Sequence, residues 1–382
     1  MLCCIGAAAY AAPLESVSGP SLSSGIVKVL LAQDEGTVTI SSDTAAVIAD
    51  IAQFEPMDIT VENRDGVYLY TFSAANGALF LDGEPIGEAS CILPGTEGSG
   101  FTVMGNTFRG DMMVLASDDT VFVINRLDID LYLRGVLPYE VIVSWPAEAL
   151  KAQAIASRAY AYSRRRDNAH PLYDFDATTA SQVYRGVGGE HPATDAAVAE
   201  TAGLILAFNG TIIPAFFHSS CGGHTENSGN VWQQDFAYLQ GKSSPYCRGT
   251  RQYQWEVLIS HQEVRTLLGF EHDLKSARIT QAYPSGRVQA LEIHPKRGEA
   301  RTLSGVELRR LLGANKLRST LFTVSVLRDG LFITGQGWGH GVGKCQWCSY
   351  AMAKEGYDAK SILEHFYTGA QIMRKRVTIE WP

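Results

Sequence analysis

The sequence predicts an α+β fold, with a β-rich N-terminal part followed by mixed sheets and an alanine-rich buried helix near the middle of the chain. Three observations predict it. Short apolar runs recur from Gly25 to about Val123, separated by the turn pairs Asp65-Gly66, Asn76-Gly77 and Asp82-Gly83. An uninterrupted helical pattern, dense in alanine, runs from about Pro146 to Arg165. Beyond it, strand-like runs broken by Pro and Gly alternate with short helical ones. With 46% hydrophobic and 19% charged residues, the 382-residue chain has the composition of a filled core and length enough for two domains.

Residues 1–24 read as a signal remnant and linker. Met1 to Ala12 are small and apolar, like the end of a secretory signal's apolar core and its cleavage region, although the basic start of such a signal is missing. They imply export to periplasm, cell wall or medium, and Cys3 and Cys4 belong to this segment. From 25 to 126 the expected strands are Ile26 to Leu31, Thr37 to Ile40, Val67 to Phe72, Ala78 to Leu81 and Val121 to Ile124. This part carries no cluster of ionisable residues with recognisable spacing. The character changes at Leu127, which opens a region running to residue 382. Its long helix starts at Ser144-Trp145-Pro146, a cap candidate with proline in the first turn, and Glu148 sits where the helix dipole favours an anion. Ala149, Ala152, Ala154, Ala156, Ala159 and Ala161 let neighbouring backbone approach, as a buried helix requires. Short helices are expected at about Ser260 to Leu268 and Ser304 to Leu312, a last helix at about Ala359 to Tyr367, and a terminal strand from Arg374 to Trp381.

A net charge of -8 gives no electrostatic footprint for nucleic acid. No stretch beyond the leader is long and apolar enough to span a bilayer. The basic group Arg158, Arg164, Arg165 and Arg166 is either a helix end favoured by the macrodipole or a contact for anionic peptide. Glu140 follows Pro138-Tyr139 and precedes an apolar run. Desolvation there raises a carboxyl's pKa toward what a general acid needs, and a capping or ion-paired glutamate is the alternative.

Outside the leader stand Cys91, Cys221, Cys247, Cys345 and Cys348, an odd number, so at least one is a thiol or a ligand. His218, Cys221, Cys247 and Cys345 supply a soft nitrogen and sulfur set suited to tetrahedral zinc. The alternatives are a Cys221–Cys247 disulfide or buried free cysteines, with His224 able to replace His218 and Cys348 open to a ligand or disulfide role of its own. Gly337 to Gly343 fails the phosphate-loop pattern, because Trp338 stands five residues before Gly343 and Lys344 is followed by Cys345. Its glycines instead let backbone close around His340. A thiol hydrolase built on Cys345 and His340 lacks an identifiable third, orienting group.

Gly135 to Tyr162 (GVLPYEVIVSWPAEALKAQAIASRAYAY) closely resembles the signature of the stage II sporulation protein D family. The resemblance continues through Ser181 to Gly186, Phe217 to Glu226, Gly335 to Gly343 with Gln346, and Tyr367 to Gly369, and covers roughly Ile26 to Trp381. It implies a peptidoglycan substrate, either as a lytic transglycosylase, which cuts between muramic acid and glucosamine, or as an enhancer of a cell-wall amidase. The family's catalytic glutamate falls on Glu140. A single carboxyl suffices for that chemistry, whereas a hydrolase needs a second carboxylate, for which Asp174 and Asp176 are the candidates. Arg158, Tyr160, Gln182 and Tyr184 match motif positions and suit contacts with sugar hydroxyls and faces, and His340 and Gln346 are expected to line the glycan cleft. Some family members hold zinc near the glutamate. This sequence departs from the usual pattern at Val141, where Met is common, at Lys344, where Met or Leu is common, and at Cys348, where Gly is common.

Overall fold

The computed structural model describes residues 25–50, 56–93, 99–167, 170, 172–177, 182–232 and 234–375. Residues 1–24, expected to be a signal remnant and linker, lie outside these residues, as do Ser181 and most of the expected terminal strand. The class is α+β with a β-rich N-terminal part, as the sequence implies. The described chain divides into two compact units, one of 25–144, Ser157–Ile205 and 373–375, the other of Trp145–Ala156 and Leu206–Ile372. The helices are α1 (Ile129–Glu140), α2 (Ala147–Asp167), α3 (Pro192–Glu200), α4 (Gly229–Trp232), α5 (His261–Leu268), α6 (Gly305–Leu312), α7 (Gln346–Lys354) and α8 (Ala359–Phe366).

In the first unit, period-two alternation sets the strands. Val27 and Val29, Val38 and Ile40, and Tyr70 and Phe72 turn inward while their neighbours are more exposed. Burying each such side chain contributes roughly 1.5–3 kcal/mol. The three turn pairs all have positive φ at both central residues, for example 52° at Asp65 and 88° at Gly66, which matches the twist of a two-residue hairpin. One sheet orders the strands Phe175–Asp176, Ile26–Asp34, Thr120–Asp128, Asp111–Ser117, Ala89–Leu93 and Val47–Asp50. Phe175–Asp176 joins Ile26–Asp34 in parallel and the rest pair antiparallel, so the sheet is mixed. Leu127 lies within Thr120–Asp128, and that strand runs straight into α1, whose N-cap Asp128 accepts a hydrogen bond from the Asp130 amide.

Helix α1 is not among the helices expected from the sequence, and it contains both Gly135 and Pro138. Both are tolerated for local reasons. A Cβ on Gly135 would lie 2.7 Å from the Tyr184 ring, so glycine makes room for that ring. Pro138 stands in the last turn, near the end of the hydrogen-bond ladder it interrupts. Helix α2 matches its expectation closely, and all six of its named alanines are buried.

In the second unit, the strands Gln254–Ser260, Gly330–Gln336 and Phe322–Leu327 form one sheet, and Leu274–Ala282, Val288–Pro295 and Arg301–Leu303 another. They share an apolar core with Val264 and Leu268 of α5 and Leu308 and Leu312 of α6. Ser260 and Ser304 cap these helices by accepting from the Glu263 and Glu307 amides at 3.2 and 3.0 Å. The cysteines gather outside that core, around a short parallel pair in which Phe217 faces Lys344 and His218 faces Cys345.

Candidate functional site

In the first unit, Glu140 is the last residue of α1 and is 6% exposed, among buried Leu133, Val136 and Leu137 of the same helix. Four nearby carboxylates are engaged by arginines. Glu190 accepts from Arg109 at 2.8 Å and Arg134 at 2.7 Å, and Asp195 from Arg134 at 2.9 Å. Asp111 is held by Arg126 at 2.6 Å. Arg158 is fully buried, donating to Asp130 at 2.7 Å and to the carbonyls of Leu204 and Val198 at 3.0 and 3.3 Å. Its guanidinium therefore ties α2 to α1 and to the end of α3 within the fold.

Gln182 and Tyr184 meet through Tyr132, whose hydroxyl donates to Gln182 Oε1 at 3.4 Å and whose ring centroid lies 5.1 Å from that of Tyr184. The Tyr184 hydroxyl donates to Asn125 Oδ1 at 2.9 Å, and burial pushes its pKa far up, so it stays a neutral donor. Tyr160 is buried as well. The expected basic group is largely answered by its own neighbours: Arg166 pairs with Asp167 at 2.7 Å, and Arg165 lies 3.9 Å from Asp174. Asp174 accepts from the Lys28 amide at 2.8 Å, and burial raises its pKa.

The second unit holds the sulfur group. The Sγ atoms of Cys221, Cys247, Cys345 and Cys348 all lie within 4.8 Å of one another, on buried and unbonded cysteines. Cys221 Sγ is 3.5 Å from Cys247 Sγ, against about 2.05 Å for a disulfide, so these two are not bridged. Burial pushes the Cys345 and Cys348 thiols up, whereas hydrogen bonds from the neighbouring thiols hold Cys247 low.

The fourth member of the group is Cys348, and His218 stands outside it. His218 Nδ1 is instead 3.1 Å from the Val342 carbonyl, and its buried Nε2 has no hydrogen-bond partner. The geometry thus substitutes Cys348 for the histidine of the expected set. Its signal in the sequence was the C-x-x-C spacing of Cys345 and Cys348. His224 is likewise outside the group, its Nδ1 on the Thr225 carbonyl.

His340 is fixed as one tautomer. Its Nδ1 accepts from the Val342 amide at 3.1 Å, so Nε2 carries the proton donated to the Phe217 carbonyl at 2.9 Å. Burial lowers its pKa to about 3. Gln346 opens α7 and is buried. The glycines around them keep left-handed backbone: Gly343 has φ 69°, and a Cβ there would lie 2.2 Å from the Phe216 carbonyl oxygen. Arg287, which no sequence pattern marks, is fully buried beside this loop and donates to the Cys221 carbonyl at 2.8 Å. Glu140, Arg158, Tyr160, Gln182 and Tyr184 thus belong to the first unit, and His218, the four cysteines, His340 and Gln346 to the second.

A family model described as Stage II sporulation protein matches residues 117–208, and a domain of unknown function (DUF8618) matches 232–343. An uncharacterised protein of Brachyspira hyodysenteriae is 36% identical over 279 residues, covering 72% of this chain and 74% of that protein. The stage II sporulation protein D of Bacillus subtilis is 32% identical over 267 residues, covering 65% of this chain and 75% of that protein. The amidase enhancer of Bacillus subtilis is 30% identical over 291 residues, 63% of this chain but 40% of the enhancer.

Proposed function

Because the chain belongs to the stage II sporulation protein D family, we propose that it is an exported lytic transglycosylase of peptidoglycan, with Glu140 as its general acid and base. The observation that carries this reading is the buried Glu140 at the end of α1, inside the matched residues 117–208. The carboxylates Glu190, Asp195, Asp111 and Asp130 are each engaged by an arginine in an ion pair of the fold.

The chemistry balances on one carboxyl. Protonated Glu140 gives its proton to the glycosidic oxygen as the bond from muramic acid C1 to that oxygen breaks. The muramic C6 hydroxyl then bonds to C1, and its proton returns to the Glu140 carboxylate. One product ends in a 1,6-anhydro ring, the other in a free glucosamine hydroxyl, and no water is consumed. A hydrolase needs a second carboxylate to activate water or act as nucleophile; Asp174, one of the candidates, is committed to the Lys28 amide. Gln182 and Tyr184 are buried against Tyr132 and Gly135 of α1, so in this reading they position the helix that carries Glu140.

A second reading is favoured by the likeness to the amidase enhancer: the chain binds the wall and stimulates an amidase without cutting glycan. Glu140→Gln separates the two. Under the enzymatic reading the variant pellets with sacculi like the wild type but releases at least about 100-fold less glycan product, the scale of a lost general acid. Wild type and variant that stimulate a wall amidase equally, with neither releasing glycan fragments, would establish the enhancer instead. Among the described residues no helix is long and apolar enough to cross a membrane.

A further inference from the structure

The sulfur group has the dimensions of a metal site. Zinc bound by four thiolates at about 2.3 Å places the sulfurs about 3.8 Å apart along the edges of a tetrahedron. Cys221 Sγ lies 3.5 Å from Cys247 Sγ and 3.6 Å from Cys348 Sγ, and all four sulfurs are within 4.8 Å of one another. None of the four is disulfide-bonded, and all four side chains are fully buried, which suits a closed structural site rather than one with a position open to substrate.

The backbone is arranged to meet sulfur anions. The Cys221 amide donates to Cys345 Sγ at 3.2 Å, the Cys348 amide to Cys345 Sγ at 3.3 Å, and the Gly223 amide to Cys221 Sγ at 3.4 Å. The donation from Cys348 to Cys345 is the N-cap of α7, so this C-x-x-C turn and the first turn of a helix are one structure. In metal-free protein the Ser244 carbonyl, 3.4 Å from both Cys221 Sγ and Cys348 Sγ, accepts their thiol protons.

Charge gives an independent argument. A dication on four thiolates carries a net charge of -2, which a buried site must balance. Two buried cations adjoin the group. Lys344 immediately precedes Cys345 and donates to Gln153 Oε1 at 2.7 Å. Arg287 donates Nη2 to the Cys221 and His224 carbonyls at 2.8 and 3.4 Å, while its Nε and Nη1 have no hydrogen-bond partner. The nearby buried anion Glu226 is already satisfied by Ser285 Oγ, the Asn227 amide and Asn230 Nδ2. A buried guanidinium with two unpartnered nitrogens is costly, and a dianionic centre at Cys221 and Cys345 beside it offsets that cost.

We propose that Cys221, Cys247, Cys345 and Cys348 bind one zinc ion as a tetrathiolate, which pins the loops carrying Cys221 and Cys247 to the start of α7 and is balanced by Arg287 and Lys344. Four S–H protons leave to solvent as four Zn–S bonds form, with no change of oxidation state. The site is structural and lies outside the residues to which the transglycosylase reading assigns chemistry, so either proposal stands if the other fails.

The test is metal analysis of the full chain purified under reducing conditions, with sulfur coordination read by X-ray absorption on the wild type. The expected result is about one zinc per chain with four sulfurs at about 2.3 Å, and a cobalt-exchanged protein with the charge-transfer bands of a tetrathiolate. Cys348→Ser is expected to weaken metal binding on the order of 100-fold, and His218→Ala to leave it unchanged. A three-sulfur, one-nitrogen shell, iron in place of zinc, a Cys221–Cys247 disulfide in the purified protein, or folded chain that takes up no metal would each overturn it. The wild-type absorption measurement decides even where a cysteine variant does not fold.

Discussion

The two units treat their buried polar groups in different ways. In the first, charges answer charges: Glu190 lies between Arg109 and Arg134, Asp111 pairs with Arg126, and Asp130 with Arg158. In the second, the buried groups are four thiols, two histidines held neutral and an Arg287 with two unpartnered nitrogens. The first unit carries an ionic frame around α1, whose last residue is Glu140. The second gathers four buried thiols within 4.8 Å of one another, the group proposed to hold zinc. The difference separates where reaction is proposed from where rigidity is.

The largest expected effect tests the ionic frame. Arg158→Met leaves Asp130 and two carbonyls without their donor, and breaking a buried pair costs about 3–5 kcal/mol, reduced here because Asp130 is partly exposed. Urea denaturation measures it, and a loss below about 1 kcal/mol would mean that the guanidinium ties nothing together. Next is the glycine loop of the second unit. Gly343→Ala forces a side chain into left-handed backbone and against the Phe216 carbonyl, so a loss of at least about 1–3 kcal/mol is expected. A thermally neutral variant would contradict the close approach.

A smaller effect concerns pH. His340 is held at a pKa of about 3 against 6.5 for the unperturbed ring, so below pH 6.5 the unfolded chain takes up a proton that the folded one refuses. Its contribution is therefore intact above pH 6.5 and lost as pH falls from there toward 3, by about 1.4 kcal/mol per pH unit. Denaturation at pH 7 and pH 5 should show a steeper loss for wild type than for His340→Gln; parallel losses would remove the histidine from the account. The smallest effect is a cap: Ser304→Ala, which deprives the Glu307 amide of its acceptor, should cost about 1 kcal/mol by the same assay.

Much of the fold was legible where local chemistry decides it. Ser260 and Ser304, each three residues before a glutamate, mark α5 and α6, and the turn pairs mark the hairpins. Helix α1 was hidden because the features that permit it, the Tyr184 ring over Gly135 and the place of Pro138 near the helix end, are properties of the folded chain. Glu140 stood out by its surroundings and three of the sulfurs by their chemistry. The choice of Cys348 over His218 depends on how the Phe217–His218 strand pairs with Lys344–Cys345, which spacing along the chain does not encode. Arg287 carries no sequence mark at all, since its importance comes from what is buried around it.

The central claim is that Glu140 cuts glycan without water. Mass spectrometry of the soluble products, after wild-type protein is incubated with intact and with stem-stripped peptidoglycan, tests it most directly. The account predicts fragments ending in anhydromuramic acid from at least one of the two substrates. Reducing muramic ends would show hydrolysis through a second carboxylate, and no fragments from either substrate, with the protein still bound to sacculi, would contradict the enzymatic reading.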